Sequence, residues 1–186
     1  YERVDNDFFI YPSLVLLPPG GSQRVRVMWK GDLSKLHEEE AYRIVVEGLP
    51  VDTTSEPTQK LSDKVSAGIH FLKTYVTSLY ITPKKAKPHL TIQSFKIETA
   101  DVHKDLVFSL YNEGSAHISF DGASIHLNGG GISYHLDNEY IKNHLHTVVL
   151  LPKHVRKCTI PIPNNFPQNF PLDNFELSIT DIEAIK

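Results

Sequence analysis

Residues 65–83 read VSAGIHFLKTYVTSLYITP, followed by the lysine-rich KKAKPH of 84–89. The stretch reads as one β-strand closed by a proline. Side chains alternate along a strand with a period of two, so Val65, Ala67, Ile69, Phe71, Lys73 and Tyr75 share a face. Strands in globular proteins commonly run about 5–6 residues. A strand more than twice that length has been extended for a purpose. An apolar edge of that kind is an aggregation hazard unless something covers it. Either it packs within its own domain or it is offered to another chain.

Composition narrows the setting. The chain has 186 residues, which fits one large β domain or two of about 100 residues. Hydrophobic content of 40% beside 22% charged residues is ordinary for a globular protein. The net charge of -3 and the absence of any long basic run give no electrostatic basis for nucleic-acid binding. No apolar run approaches the roughly 18 residues of a membrane helix, so the chain is not expected to be membrane-embedded. It starts at Tyr1 without a signal-peptide pattern, which reads as a processed or truncated start. Cys158 is the single cysteine, so no internal disulfide supports the fold. In RKCTIPIP (156–163) it reads as a buried, inert thiol.

Working outward, turn residues recur at short intervals and helical periodicity is scarce. Residues 14–17 read as a short apolar strand before the PPGG turn of 18–21. In 23–29, Val25, Val27 and Trp29 share one face, with Arg24 and Arg26 on a solvent-facing one. Residues 31–40 are polar and have room for one helical turn capped by Asp32 or Ser34. A strand over 41–49 ends at Pro50, and 52–64 is a polar loop. Beyond the hinge, strands are expected over 89–97, 105–111, 118–120, 124–127, 147–151, 156–162 and 175–182. The triplet Gly129–Gly131 is expected to be a loop tip. Many short strands with frequent turns predict β-sandwich architecture. The expected fold is therefore all-β: two immunoglobulin-like sandwiches, 1–84 and 85–186, joined by a short hinge. Only four clear strands precede that hinge, against about seven in a complete sandwich. The first domain is thus expected to be incomplete, lacking its initial strands.

Catalysis finds no support in the sequence. There is no GxSxG, no phosphate loop and no HExxH. Ten histidines invite a metal reading, and His144 and His146 at i, i+2 would share one side of a strand. Without a cysteine partner or zinc spacing, the simpler reading is solvated or hydrogen-bonded imidazoles. The expectation is a non-enzyme with no cofactor and no metal.

The order of motifs resembles the periplasmic pilus-assembly chaperones of the PapD-like family. Residues 10–27, IYPSLVLLPPGGSQRVRV, carry a proline-preceded strand, the turn Leu16–Gly20 and the Q-x-V-R-V strand Gln23–Val27. Residues 38–51, EEEAYRIVVEGLPV, carry a strand that begins near Glu39 and closes at Leu49–Pro50. The long strand ending at Pro83 follows. In the second half, YNEGSAHISF (111–120) resembles the family's Asn-x-Gly turn and VVLLPKHVRK (148–157) its L-x-P strand start. The chain also departs from the pattern. Arg43 and Val45 stand where an aromatic and an Asn are usual, Ser78 where a cleft lysine is, and Thr82 where a hinge arginine is.

The resemblance implies a chaperone that binds a pilus or fimbrial subunit by donating its long strand, for delivery to an outer-membrane usher from the periplasm. The implied donor residues are Val65, Ala67, Ile69 and Phe71. Lys73, Lys84 and Lys85 are candidates for anchoring the subunit's terminal carboxylate, although the lysines of 84–87 also read as a solvated hinge. Self-association through the free edge is a further expectation. The competing reading is an immunoglobulin-like interaction or surface-binding protein without chaperone activity. A third, a carbohydrate-binding or hydrolytic sandwich, would need aromatics and carboxylates clustered on one loop set.

Overall fold

A computed structural model describes residues 4–49, 72–100, 103–145 and 149–182. These residues are all-β apart from a 3-10 turn at Asp5–Asp7 and one short helix. The chain separates into two compact units, Tyr1–Glu39 with Ile81–Lys186, and Glu40–Tyr80.

In the first unit, β1 (Phe8–Tyr11) pairs antiparallel with β2 (Arg26–Trp29), Phe8 opposite Trp29. The strand expected over 14–17 does not form. Its leucines are exposed, Leu16 at 90%, between Pro12 and a turn in which Gly21 N–H donates to Pro18 O at 2.8 Å. With no strand to pair with, an apolar tetrapeptide flanked by prolines stays irregular. Arg24 and Arg26 are exposed, as expected. The polar 31–40 segment makes a single turn, Lys35 N–H to Asp32 O at 3.0 Å. Asp32 Oδ1 accepts from the Ser34 hydroxyl and amide, which holds its carboxyl below the ordinary range.

The rest of the first unit is a sandwich. One sheet has the order β11–β6–β5: Val155–Pro161, His103–Asn112 and Leu90–Ala100. The other has the order β12–β8–β9: Glu176–Thr180, Ser124–Gly129 and Ile132–Leu136. A short pair, β7 (Ile118–Ser119) with β10 (Val149–Leu150), completes it. Alternate residues of β6 (Leu106, Phe108, Leu110), of β8 (Ile125, Leu127) and of β11 (Cys158, Ile160) enter one shared buried cluster. Alternation with period two thus produces two inner faces and one core. Helix α1 (Asn138–His144) adds Ile141, its start capped by Asp137 Oδ1 accepting from Tyr140 N–H at 2.8 Å. β1, β9 and α1 are additions to the elements expected from the sequence.

Three glycines are required by the backbone around them. Gly130 and Gly131, at φ 57° and 78°, form the two-residue turn between paired Gly129 and Ile132. Positive φ at both central residues is what a tight hairpin of this hand requires, so the triplet expected as a loop tip is a β-turn. At Gly114 a Cβ would sit 2.3 Å from Lys87 O and 2.5 Å from His89 N, leaving no room for a side chain.

The Asn-x-Gly turn is built around an amide sealed from solvent. Asn112 Nδ2 donates to Ala116 O at 2.8 Å and Leu150 O at 3.1 Å. Its Oδ1 accepts from Gly114 N–H at 2.9 Å and His89 N–H at 3.2 Å. Together the four bonds tie the approaches to β5 and β7 to the ends of β6 and β10. Asn112→Ala strands four backbone groups, each lost partner costing about 1–3 kcal/mol when buried. The variant is expected to lose about 3 kcal/mol or more in urea unfolding.

Cys158 is buried, as expected, and burial pushes its thiol up to about 11 from an ordinary value of 9.0. Thiolate is the reactive form. Native protein at pH 8 should therefore resist a disulfide reagent that labels the urea-unfolded chain rapidly. Between about pH 9 and 11 the unfolded chain binds fewer protons than the folded one, so this thiol makes stability fall with rising pH across that window. Removal of that part of the fall in Cys158→Ala is the corresponding check.

Candidate functional site

The second unit is a ribbon of two strands, β3 (Glu40–Glu47) and β4 (Thr74–Ile81). Gly48 N–H donates to Lys73 O at 2.8 Å, while Thr82 meets Glu39 at the other end. These two pairings run in opposite senses along the chain, so the ribbon is antiparallel. Among the described residues no other strand pairs with either edge. Large apolar groups are left in solvent: on β4 and just before it, Leu72 (59%), Tyr75 (63%) and Val76 (56%). On and beyond β3 they are Val45, Val46 and Leu49. Leu79, Tyr80 and Ile81 are half-buried, and Pro83 is buried. The described strand thus becomes more covered towards the proline.

The donor residues expected from the sequence, Val65, Ala67, Ile69 and Phe71, lie outside the described residues. So do residues 52–64 and His146. Lys73, Lys84 and Lys85 are described and exposed, and their ammonium groups form no ion pair among the described residues. Lys84 and Lys85 lie together in the turn after β4, whereas Lys73 precedes its first residue. They sit at opposite ends of the strand and are alternatives as anchors. Ser78 is exposed.

Thr82, where the resemblance led one to expect a hinge arginine, has a defined partner. Its hydroxyl donates to Glu39 Oε2 at 2.7 Å. Glu39 Oε1 accepts from His117 Nδ1 at 2.6 Å and from His117 N–H at 3.1 Å. The Glu39 amide donates to Ser115 O at 2.8 Å. Both Glu39 and His117 are buried. One carboxylate therefore joins the residue before β3, the residue after β4 and the turn before β7. Glu39 and Thr82 were visible as motif positions, but His117 was not: 78 residues separate it from Glu39, and no local pattern encodes the contact.

The histidine expectations resolve locally. His144 ends α1, with Nδ1 on Tyr140 O at 2.8 Å and its ring stacked on Tyr140. Among the described residues no group of three or more His, Cys, Asp or Glu is arranged to hold a metal ion. No described helix is long and apolar enough to cross a membrane.

Glu39→Ala removes a buried acceptor from three donors. Leaving buried donors without an acceptor costs about 1–3 kcal/mol for each one, so a loss of about 3 kcal/mol or more is the scale for this site. A loss of that order in denaturant unfolding is expected, with a smaller loss in Thr82→Val, where one hydroxyl bond disappears.

The aromatic at 43 and the Asn at 45 of the PapD-like pattern remain Arg43 and Val45, so the family assignment must rest on more than those positions. No curated protein and no solved structure matches the chain. Residues 2–85 match the family described as "Pili and flagellar-assembly chaperone, PapD N-terminal domain". The match takes in β1 to β4, the Glu39–Thr82 contact and the lysine turn, and it supports a PapD-like pilus-assembly chaperone family for this part of the chain.

Proposed function

We propose that this chaperone acts in the periplasm by lending its β4 strand, with the residues before it, to an incomplete pilus or fimbrial subunit, which it delivers to an outer-membrane usher. The observation that carries this reading is the ribbon's unpaired β4 edge, with Leu72, Tyr75 and Val76 exposed beside it. An edge strand offers a row of free N–H and C=O groups, and β-strand addition supplies affinity through that row while alternate side chains fill pockets. Val65, Ala67, Ile69 and Phe71 are the proposed inserted residues. Burying three large side chains and one small one contributes on the order of 5–9 kcal/mol gross, before ordering and association costs.

The domain division proposed here is 1–84 and 85–186. It is supported by the family match ending at residue 85 and by the main core cluster, whose members run from Leu106 to Leu177. The subunit's terminal carboxylate is proposed to meet Lys84 and Lys85 at the base of β4, or Lys73 before its first residue. The same free edge allows two chaperones to associate when no subunit is present.

Co-expression with candidate subunits tests the reading. Phe71→Asp is expected to abolish co-purification while leaving the unfolding midpoint of the free chaperone unchanged. Undiminished co-purification would favour an immunoglobulin-like module that binds through another surface.

A further inference from the structure

The outer face of the β12–β8–β9 sheet carries two imidazoles that strand donation does not use. His126 lies on the central strand β8, between Ile125 and Leu127, which enter the core. Period-two alternation therefore turns His126 outward. His135 stands directly opposite it on β9. The two rings stack with centroids 4.6 Å apart and 25° between their planes.

His126 is also anchored on its other side. Its Nε2 lies 3.1 Å from Thr180 Oγ1, and Thr180 donates its hydroxyl proton to Asp181 Oδ2 at 3.0 Å. A hydroxyl has one proton. With that proton committed to the carboxylate, Thr180 Oγ1 accepts from His126, so Nε2 carries the hydrogen and Nδ1 holds the lone pair. Asp181 adopts a left-handed φ of 57°, a conformation aspartate tolerates better than most residues. Metal-binding histidines characteristically donate their second ring N–H to a carboxylate or another acceptor, which fixes tautomer and orientation. The Asp181–Thr180–His126 chain has that form.

We propose that His126, through Nδ1, and His135 form a two-imidazole site for a borderline transition-metal dication such as Zn²⁺ or Cu²⁺. Imidazole nitrogens bind such ions at roughly 2.0–2.1 Å. With centroids 4.6 Å apart, the rings are near enough to share an ion once His135 turns out of the stack to aim an in-plane lone pair toward the side of His126 Nδ1. Among the described residues no third His, Cys, Asp or Glu completes a cluster, so water fills the remaining positions and the ion is exchangeable. Nitrogen donors exclude the oxygen-seeking Ca²⁺ and Mg²⁺.

Calorimetric titration of the tag-free chain with Zn²⁺ is the test. One ion per chain is expected, lost in both His126→Gln and His135→Gln. Thr180→Val should weaken binding roughly tenfold, as removal of an orienting partner does. His103→Gln should leave it intact. No binding by the native chain, or binding that survives either replacement at 126 or 135, overturns the proposal. In the native chain, sub-stoichiometric Cu²⁺ should broaden the ring resonances of His126 and His135 before those of other histidines. Earlier broadening elsewhere would also overturn it.

Discussion

A single carboxylate, that of Glu39, fixes where the β3–β4 ribbon begins and ends. Taking a carboxyl group out of water is expensive unless its oxygens are met by hydrogen-bond partners. Glu39 meets that condition with a backbone N–H, an imidazole nitrogen and a hydroxyl as donors. The arrangement leaves little freedom: residues 39, 82 and 117 must meet at once, or a buried oxygen goes without a partner.

The distribution of buried apolar surface follows the same division. The core cluster draws on both sandwich sheets and on loop residues such as Phe166 and Phe170, whose rings lie 4.9 Å apart. Of the N-terminal strands β1–β4, only Phe8 counts among the buried apolar residues. A globular chain does not ordinarily leave so many large apolar side chains exposed together. Covalent cross-links do not compensate, because Cys158 stands alone within the core. The second half supplies a stable body, and the first supplies surface.

Much of this organisation is legible in the residues. Alternating apolar positions locate β5, β6, β8, β11 and β12 to within a few residues, because each presents one face to a common core. Asn112 and Gly114 announce their turn, since few residues other than that pair satisfy four backbone groups, two of them in buried bonds, and leave space for Lys87 O. Residues 14–17 mislead for a physical reason: strand propensity records fit to a pleated neighbour, and there is none there. β9 hides behind the glycine triplet, and α1 is too short, with Ile141 its one buried residue, to show a period. Of the site, the strand before Pro83 is readable, but the described strand covers only Thr74–Ile81 of the expected 65–83: Leu72 and Lys73 lie outside it, and 65–71 lie outside the described residues. The Glu39–His117 contact is not, being a product of tertiary packing.

The two-residue turn at Gly130–Gly131 has a consequence for how this protein can change over time. Surface hairpin tips are usually where chains gain and lose residues most freely. Here the turn sets β9 against β8, and a slip of one residue sends every side chain of a strand to the opposite face. An insertion absorbed by re-pairing would push Leu136 out of the core and draw His135 in, away from His126. Length variation among descendants of this sequence should therefore avoid this tip, exposed as it is, and accumulate in loops that set no strand register.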